Sequence, residues 1–241
     1  MLQPSTVIAV CFGGLFCLAP ASLYLCWLAA VNRRDRPVVT SGGWDFVRVL
    51  AALSGFLLVG GSILLGLVRN HPQLFPELFE ALRHANGFDK LRATFETQWM
   101  WWMALFGGYF AVIGLAVLTG FRGRGRTLAV YNVDTSTAEA AVEYALAQAG
   151  LTAVRAGNVW ADSRKLVQLV PFHGARHATV RLLCPHPRER EEIERHLRAD
   201  LARAAAPDNP VAAWLSLLAG GAVFTVVTFV GLLLYILYVR Y

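Results

Sequence analysis

The clearest absence in this 241-residue chain is that of ionisable side chains from four long stretches. No Asp, Glu, Lys, Arg or His occurs in 5–32, 49–68, 97–121 or 211–239, and each stretch has 20 or more residues. A helix rises about 1.5 Å per residue and the hydrocarbon core of a bilayer is about 30 Å thick, so each stretch is long enough to cross it. With 56% hydrophobic and only 16% charged residues, the composition is that of a membrane protein.

The same absence excludes several kinds of membrane chemistry. No stretch contains a histidine, so the paired axial ligands of a membrane haem are lacking. None contains a charge at depth, of the kind that marks proton relays and ion paths. The chain also lacks the Walker lysine motif, GxGxxG, HExxH and GxSxG. Its four cysteines form no CxxC pair. We therefore predict no cofactor and favour a protein that is not an enzyme.

Arginine is the basic residue that is present, with 20 arginines against two lysines, a bias that indicates a GC-rich bacterial genome. Two dense groups follow the first and third stretches: Arg33, Arg34, Arg36, Arg122, Arg124 and Arg126. Short loops dense in Lys and Arg stay cytoplasmic. The segment 33–47 and a domain at 127–206 are thus expected in the cytoplasm. Both termini are then expected outside the plasma (inner) membrane.

The expected transmembrane helices are 5–32, 48–68, 99–121 and 211–239, and each contains a Gly-Gly pair. Glycine lets helix backbones approach closely, and small residues are enriched where membrane helices meet. The candidate helix-packing residues share a depth of about 12 Å from the outer ends of their helices. They are Gly14, Gly60, Gly61, Gly107, Gly108 and Gly231. We predict that they mediate self-association or contact with a protein partner.

The segment 69–98 is predicted to lie outside and to carry an amphipathic helix in the membrane interface. Its apolar residues recur at helical spacing, with Glu77, Glu80 and Arg83 between them. Tryptophans at 99, 101 and 102 mark where the third transmembrane helix enters the bilayer, as interfacial aromatic residues do.

The cytoplasmic insert at 127–206 is predicted to be a small α/β domain with the element order βαββββα. Ser136 and Glu139 form a capping-box pattern before a helix that Gly150 ends. Segments 165–172 and 177–183 form the stronger hairpin, because apolar and polar residues alternate in the second of them. We expect two helices on one face of an antiparallel sheet, of ferredoxin-like type in general terms only.

Two groups of residues near this insert are candidates for binding. Arg122, Arg124 and Arg126 are candidate contacts for anionic lipid headgroups at the inner membrane surface. Four possible zinc ligands also occur close together: His173, His177, Cys184 and His186. A strand places its ends too far apart, at about 23 Å over seven residues, for one site to use all four. We therefore predict no metal site. Mixed charges in the last helix also disfavour nucleic-acid binding.

These observations favour a non-enzymatic membrane component whose cytoplasmic domain docks a partner or senses a ligand. The first alternative is a subunit of an oligomeric channel or transporter, built through the glycine-rich helices. The second is a membrane-interface enzyme that acts on lipid. A cleft at the membrane surface that gathers His173, His177 or His186 with a carboxylate such as Asp162 would favour the enzyme.

Overall fold

A computed structural model describes residues 4–68, 87–172, 176–206 and 209–240 of the chain. Within these ranges lie six helices: α1 Pro4–Asn32, α2 Gly42–Val68, α3 Gly87–Arg124, α4 Thr135–Gln148, α5 Pro187–Leu201 and α6 Pro210–Arg240. Four of them, α1, α2, α3 and α6, are long and apolar enough to cross a membrane. The 69–86 part of the predicted outer segment lies outside the described residues. The rest of that segment belongs to α3, which already begins at Gly87.

Six strands form one antiparallel sheet in the described part of the chain. They are β1 Val38–Ser41, β2 Thr127–Tyr131, β3 Val154–Ala156, β4 Val159–Ala161, β5 Lys165–Phe172 and β6 His177–Leu182. Their order across the sheet is β1-β2-β6-β5-β4-β3. Strand β5 has the bounds that the sequence predicted, and β6 pairs with it as the predicted hairpin.

Strand β1 was not predicted, because 33–47 was interpreted as a plain loop. Three of its four residues are β-branched and so favour an extended backbone. Val38 pairs with Tyr131 and Ser41 pairs with Leu128, which makes β1 an edge strand beside β2. The Arg198 guanidinium donates a 3.1 Å hydrogen bond to the Val39 carbonyl and thereby covers part of the exposed edge.

The core of the domain lies between the sheet and the two short helices. Helix α5 buries an apolar stripe formed by Ile193, Leu197 and Leu201. Helix α4 buries its small and aliphatic residues against the same core: Ala138, Ala141, Val142, Ala145 and Leu146. The sheet contributes alternate residues of β2 and β6, three residues of β5, and Trp160 of β4, which is 1% exposed. Burying a large side chain of this kind stabilises the fold by about 1.5–3 kcal/mol.

The termini of α4 show one correct prediction and one wrong one. Gly150 has φ +71° and ends the helix, since its N–H and that of Leu151 bond back to Ala147 and Leu146. The N-cap, however, is Asp134 and not Ser136. Glu139 instead binds the Arg155 guanidinium on the neighbouring edge of the sheet. Because the Glu139 carboxylate pairs with Arg155, it is not available to accept the backbone N–H of a capping box.

The chain divides into two compact units. The helical unit comprises Met1–Leu23, Leu50–Leu118 and Gly220–Tyr241. The sheet unit comprises Tyr24–Val49 and Thr119–Ala219. It therefore contains the whole sheet together with the ends of the long helices that adjoin it.

Candidate functional site

The two faces of the sheet have different surroundings. One face carries the core beneath α4 and α5. Because side chains alternate along a strand, the register places Tyr131, His177 and Phe172 side by side on the opposite face. Ala129, Thr179 and Val170 form the next row of that face. We call this side the open face.

The end of α1 packs on the open face near β2. The Trp27 ring meets the Tyr131 ring edge-on, with 5.3 Å between centroids. Val31 joins Ala129 and Tyr131 in a small buried cluster. The Arg48 guanidinium lies 4.5 Å from the centroid of the Trp27 ring, a cation–π contact. Helix α1 is thereby anchored on the sheet by apolar and aromatic contacts.

A cavity of about 590 Å³ lies between the open face and the adjoining helix ends. Ligand sites in proteins commonly measure about 300–1,000 Å³. The first turn of α2 lines it with Gly42 and Asp45. The other lining residues come from the end of α3, the segment after it and three strands: Thr119, Gly120, Gly123, Arg124, Arg126, Thr127, Ala129, Val170, His177, Thr179, Arg181, Leu182 and Leu183. We call it the junction cavity.

Three arginines border the junction cavity. Arg124 lies in the last turn of α3, and its guanidinium is 4.4 Å from the centroid of the Phe46 ring. Arg126 precedes β2, and Arg181 lies on β6. Within the described ranges, no carboxylate lies within 4 Å of any of the three guanidinium groups. The cavity thus offers positive charge from three parts of the chain. Arg122, the remaining predicted lipid contact, is exposed and does not line it.

A buried polar cluster forms one wall of the junction cavity. The Tyr131 hydroxyl donates a hydrogen bond to the Asp45 carboxylate, and Asp45 is 8% exposed. Asp45 lies in the first turn of α2, where the helix dipole stabilises a negative charge. Burial first, and then the bond to Asp45, raise the pKa of Tyr131 above its ordinary value. Tyr131 therefore stays protonated and remains a donor at neutral pH.

His177 stacks on the Tyr131 ring, with 4.5 Å between centroids and 10° between ring planes. Its Nε2 is buried and has no hydrogen-bond partner among the residues that the structure describes. Burial lowers the pKa of His177, and the Asp45 charge opposes that shift only in part. The imidazole is therefore expected to be neutral at pH 7, and no hydrogen bond joins it to Asp45.

Three asparagines connect distant segments beside this cluster. The Asn209 side-chain amide donates to the Asn32 oxygen at 2.8 Å and to the Asn132 oxygen at 3.3 Å. The Asn132 amide in turn donates to the Arg34 carbonyl at 2.7 Å. The Asn209 oxygen accepts the Val211 N–H at 3.0 Å and caps the start of α6. This asparagine cluster ties the end of α1, the end of β2 and the start of α6 together.

Comparison with protein-family models, with curated proteins and with solved structures finds no match to this chain.

The remaining candidate residues of the insert are not gathered into the cavity. Cys184 is buried in the core, where its thiol donates to the Leu166 carbonyl at 3.3 Å and burial raises its pKa. His186 precedes α5 as its N-cap, and Asp162 accepts the Arg164 N–H in a turn. His173 lies outside the described residues. His177 thus shares the cavity with Asp45, and not with Asp162.

The glycines predicted to pack helices have different surroundings. A Cβ at Gly14 would overlap the Phe229 ring, so α1 and α6 pack closely there. A Cβ at Gly107, Gly108 or Gly231 would meet nothing within 4 Å in the described chain. For Gly60 and Gly61, only their place within α2 is described. The role of these glycines in assembly stays a prediction.

Sequence reasoning missed most of this site. Asp45 was not among the candidate residues, yet it is buried against Tyr131. Asn132 and Asn209 were not singled out. One usable signal was available for Asn209, because it directly precedes Pro210 at the start of an apolar stretch, the position of a helix cap.

Proposed function

We propose that this chain is a multi-pass membrane protein that acts without catalysis, by binding an anionic ligand in the junction cavity. The α/β domain, of ferredoxin-like type in general terms, would lie on the cytoplasmic side of the plasma membrane. The ligand would be the phosphate of a lipid headgroup. The observation that supports this is the convergence of Arg124, Arg126 and Arg181 on one cavity, without carboxylate partners in the described chain.

Arginine suits a phosphate because its planar guanidinium donates two parallel hydrogen bonds to two oxygens. The three arginines outnumber the one acidic residue of the lining, Asp45. That carboxylate already accepts the Tyr131 hydroxyl, which stabilises its charge. Thr179 and His177 also line the cavity and add neutral polar side chains.

A lipid headgroup suits the position of the cavity better than a free metabolite does. Gly42 and Asp45 begin the apolar helix α2, and Gly120, Gly123 and Arg124 end the apolar helix α3. If these helices cross the bilayer, their ends lie at the level of the headgroups. A ligand held there would contact α2, α3 and the sheet at once. Its presence would thereby be sensed by the domain.

The test is to fill the cavity without removing a charge. Gly123 lines the cavity and a Cβ there meets nothing within 4 Å, so Gly123→Phe adds a ring at the cavity wall without overlapping a described neighbour. Gly125→Phe is the matched control, because it also meets open space but does not line the cavity. Native mass spectrometry of the full chain in detergent would count bound phosphatidylglycerol, with phosphatidylcholine and inorganic phosphate as separate arms.

We expect phosphatidylglycerol to bind wild type and Gly125→Phe, and to be lost from Gly123→Phe. Arg181→Gln should weaken binding about tenfold or more, because a hydrogen bond to a charged group contributes about 1.5–3 kcal/mol. Equal retention of phosphatidylglycerol by Gly123→Phe would refute the site. Equal binding of inorganic phosphate and no lipid preference would refute the lipid assignment.

A lipid-modifying enzyme is the second candidate, and one observation favours it. His177, whose buried Nε2 has no hydrogen-bond partner among the described residues, and the buried Asp45 both line the cavity. A histidine in that state is able to act as a general base. If lipid turnover is measured and His177→Gln abolishes it while lipid binding persists, the enzyme is the correct assignment.

A channel or transporter subunit would instead require a closed oligomer with a water-filled pore along its central axis.

A further inference from the structure

Among the described residues that line the junction cavity, His177 is the one histidine. It lies on β6, where the register places it between Tyr131 of β2 and Phe172 of β5. Its ring stacks on the Tyr131 ring, which holds the imidazole in place at the cavity. Histidine is the side chain whose ordinary pKa lets it change charge near neutral pH. The charge of the cavity lining is therefore able to change at this residue.

Without a ligand, the surroundings of His177 favour its neutral form. Its Nε2 is buried and has no hydrogen-bond partner in the described part of the chain, whereas a protonated imidazole carries an N–H on both ring nitrogens. Burial lowers the pKa of His177. Three guanidinium groups border the same cavity, and like charges disfavour a further positive charge.

The charged and titratable groups near His177 come from several elements of the sheet unit. Asp45 of α2 is the acidic residue of the cavity lining, and its charge favours protonation of His177 in part. Tyr131 stays protonated, because burial raises its pKa, and it adds no charge. Arginines keep their charge at every pH of interest. The remaining groups are Tyr24 of α1, Arg48 of α2, Arg124 of α3, Arg126 before β2, Arg181 of β6, and Arg176, which pairs with Asp134.

We propose that His177 couples ligand binding in the junction cavity to proton uptake, so that the cavity binds an anionic phosphate more tightly as the pH falls. This inference rests on the proposed function, because it requires an anion in the cavity. A phosphate brings negative charge to the residues that surround His177, and a nearby opposite charge favours the protonated imidazole. The imidazolium then adds a fourth positive charge to those of Arg124, Arg126 and Arg181.

The direction of the pH dependence follows from reciprocity. If a bound phosphate favours protonation of His177, protonation of His177 favours the phosphate by the same factor. The pKa of His177 is lowered in the chain alone, and the bound anion would raise it. Affinity should therefore rise as the pH falls through this interval and become constant above it. A phosphodiester keeps its single negative charge throughout, so the lipid itself adds no pH dependence.

The experiment measures binding of a short-chain phosphatidylglycerol to the full chain in an uncharged detergent by isothermal titration calorimetry. Titrations at about pH 7.5 and about pH 5.5 give the two dissociation constants. Titrations at about pH 6.5 in two buffers of different ionisation enthalpy count the protons taken up on binding. His177→Gln and His177→Phe remove the titrating group, and the phenyl ring keeps a surface that can stack on Tyr131. His186→Gln is the matched control, because His186 is exposed before α5 and does not line the cavity.

We expect the dissociation constant of wild type and of His186→Gln to fall by about fivefold or more from the higher to the lower pH, with net proton uptake. An opposite charge at a few Å changes proton affinity by about tenfold or more, and this interval covers part of that change. Both His177 variants should show neither effect.

Binding by wild type that is equally tight at both pH values, or that takes up no proton, would overturn the proposal and leave the lipid site intact. Absence of phosphatidylglycerol binding at either pH would instead refute the proposed function, and this inference with it. A pH dependence that persists in either His177 variant would also overturn the proposal. Its loss in Asp45→Asn together with that persistence would assign the proton to the carboxylate.

Discussion

Replacing Asn209 by alanine should destabilise the protein strongly, although Asn209 touches neither the core nor the cavity. Its amide donates to Asn32 and Asn132, and its oxygen caps α6 through Val211. Loss of an N-cap costs about 1 kcal/mol. A buried acceptor left without its donor costs about 1–3 kcal/mol. The 3.3 Å bond to Asn132 is long and contributes little, so the total is about 3 kcal/mol.

The shift is large enough to measure by thermal unfolding of the purified chain in detergent. For chains of this size, 1 kcal/mol moves the Tm by about 2–4 °C, so Asn209→Ala should lower it by about 6–12 °C. Trp160, buried in the domain core, provides part of the fluorescence signal that reports unfolding. Asn158→Ala is the matched control. It is the same asparagine-to-alanine substitution, but Asn158 is exposed in the turn between β3 and β4.

A second variant separates the cap from the bridge. Asn209→Asp keeps an oxygen that accepts the Val211 N–H, and aspartate is as good an N-cap as asparagine. It removes the amide donor and places a carboxylate against two amide oxygens. We expect Asn209→Asp to be at least as unstable as Asn209→Ala at pH 7. A Tm within about 2 °C of wild type for Asn209→Ala, or a wild-type Tm for Asn209→Asp, would refute the reasoning.

Three further perturbations test other contacts. A Cβ at Gly55 would overlap the backbone of α1, so Gly55→Leu should reduce the yield of folded protein in size-exclusion chromatography. A Cβ at Gly107 meets open space, so Gly107→Leu should leave that yield unchanged. An equal loss of folded protein in Gly107→Leu would indicate that Gly107 contacts another molecule. Tyr131→Phe should lower the free energy of unfolding by about 1.5–3 kcal/mol, because it removes a hydrogen-bond donor from the Asp45 carboxylate. A double-mutant cycle with Asp45→Asn should show coupling between the two residues, and additive effects would contradict the hydrogen bond. Because burial lowers the pKa of His177, the folded state binds fewer protons than the unfolded state, and stability should fall as pH drops below 6.5. His177→Phe should reduce that loss, and an unchanged pH profile would contradict the assignment.

Local patterns allowed the domain interior to be predicted well. The alternation in β6 is a periodic signal that depends only on nearby residues, and its apolar side is buried as expected. The pair Gly157-Asn158 is typical of a turn, and the structure has that turn, with Gly157 at φ +64° between β3 and β4. These features follow from rules that act over a few residues.

Long-range pairing could not be predicted in the same way. Val38–Ser41 is only four residues long and follows three arginines. The arginines indicated a cytoplasmic loop, and the short strand within it was therefore not recognised. Asp45 and Tyr131 are far apart in sequence, and neither belongs to a motif. The junction cavity exists because these segments meet in the fold. The arginines at 124 and 126 were identified from local density, but Arg181 was not, because it looked like the polar side of an ordinary strand.

The pairing of β1 with β2 has a consequence for how the chain is made. Val38–Ser41 is synthesised before α2 and α3, whereas its partner Thr127–Tyr131 comes after both. At ribosomal rates of about 5–20 residues per second, β1 waits several seconds for a partner. If α2 and α3 cross a bilayer, the two strands meet only when both helices cross, because the strands must emerge on the same side. A chain in which only one of the two helices crossed would then be left with an unpaired edge on β2.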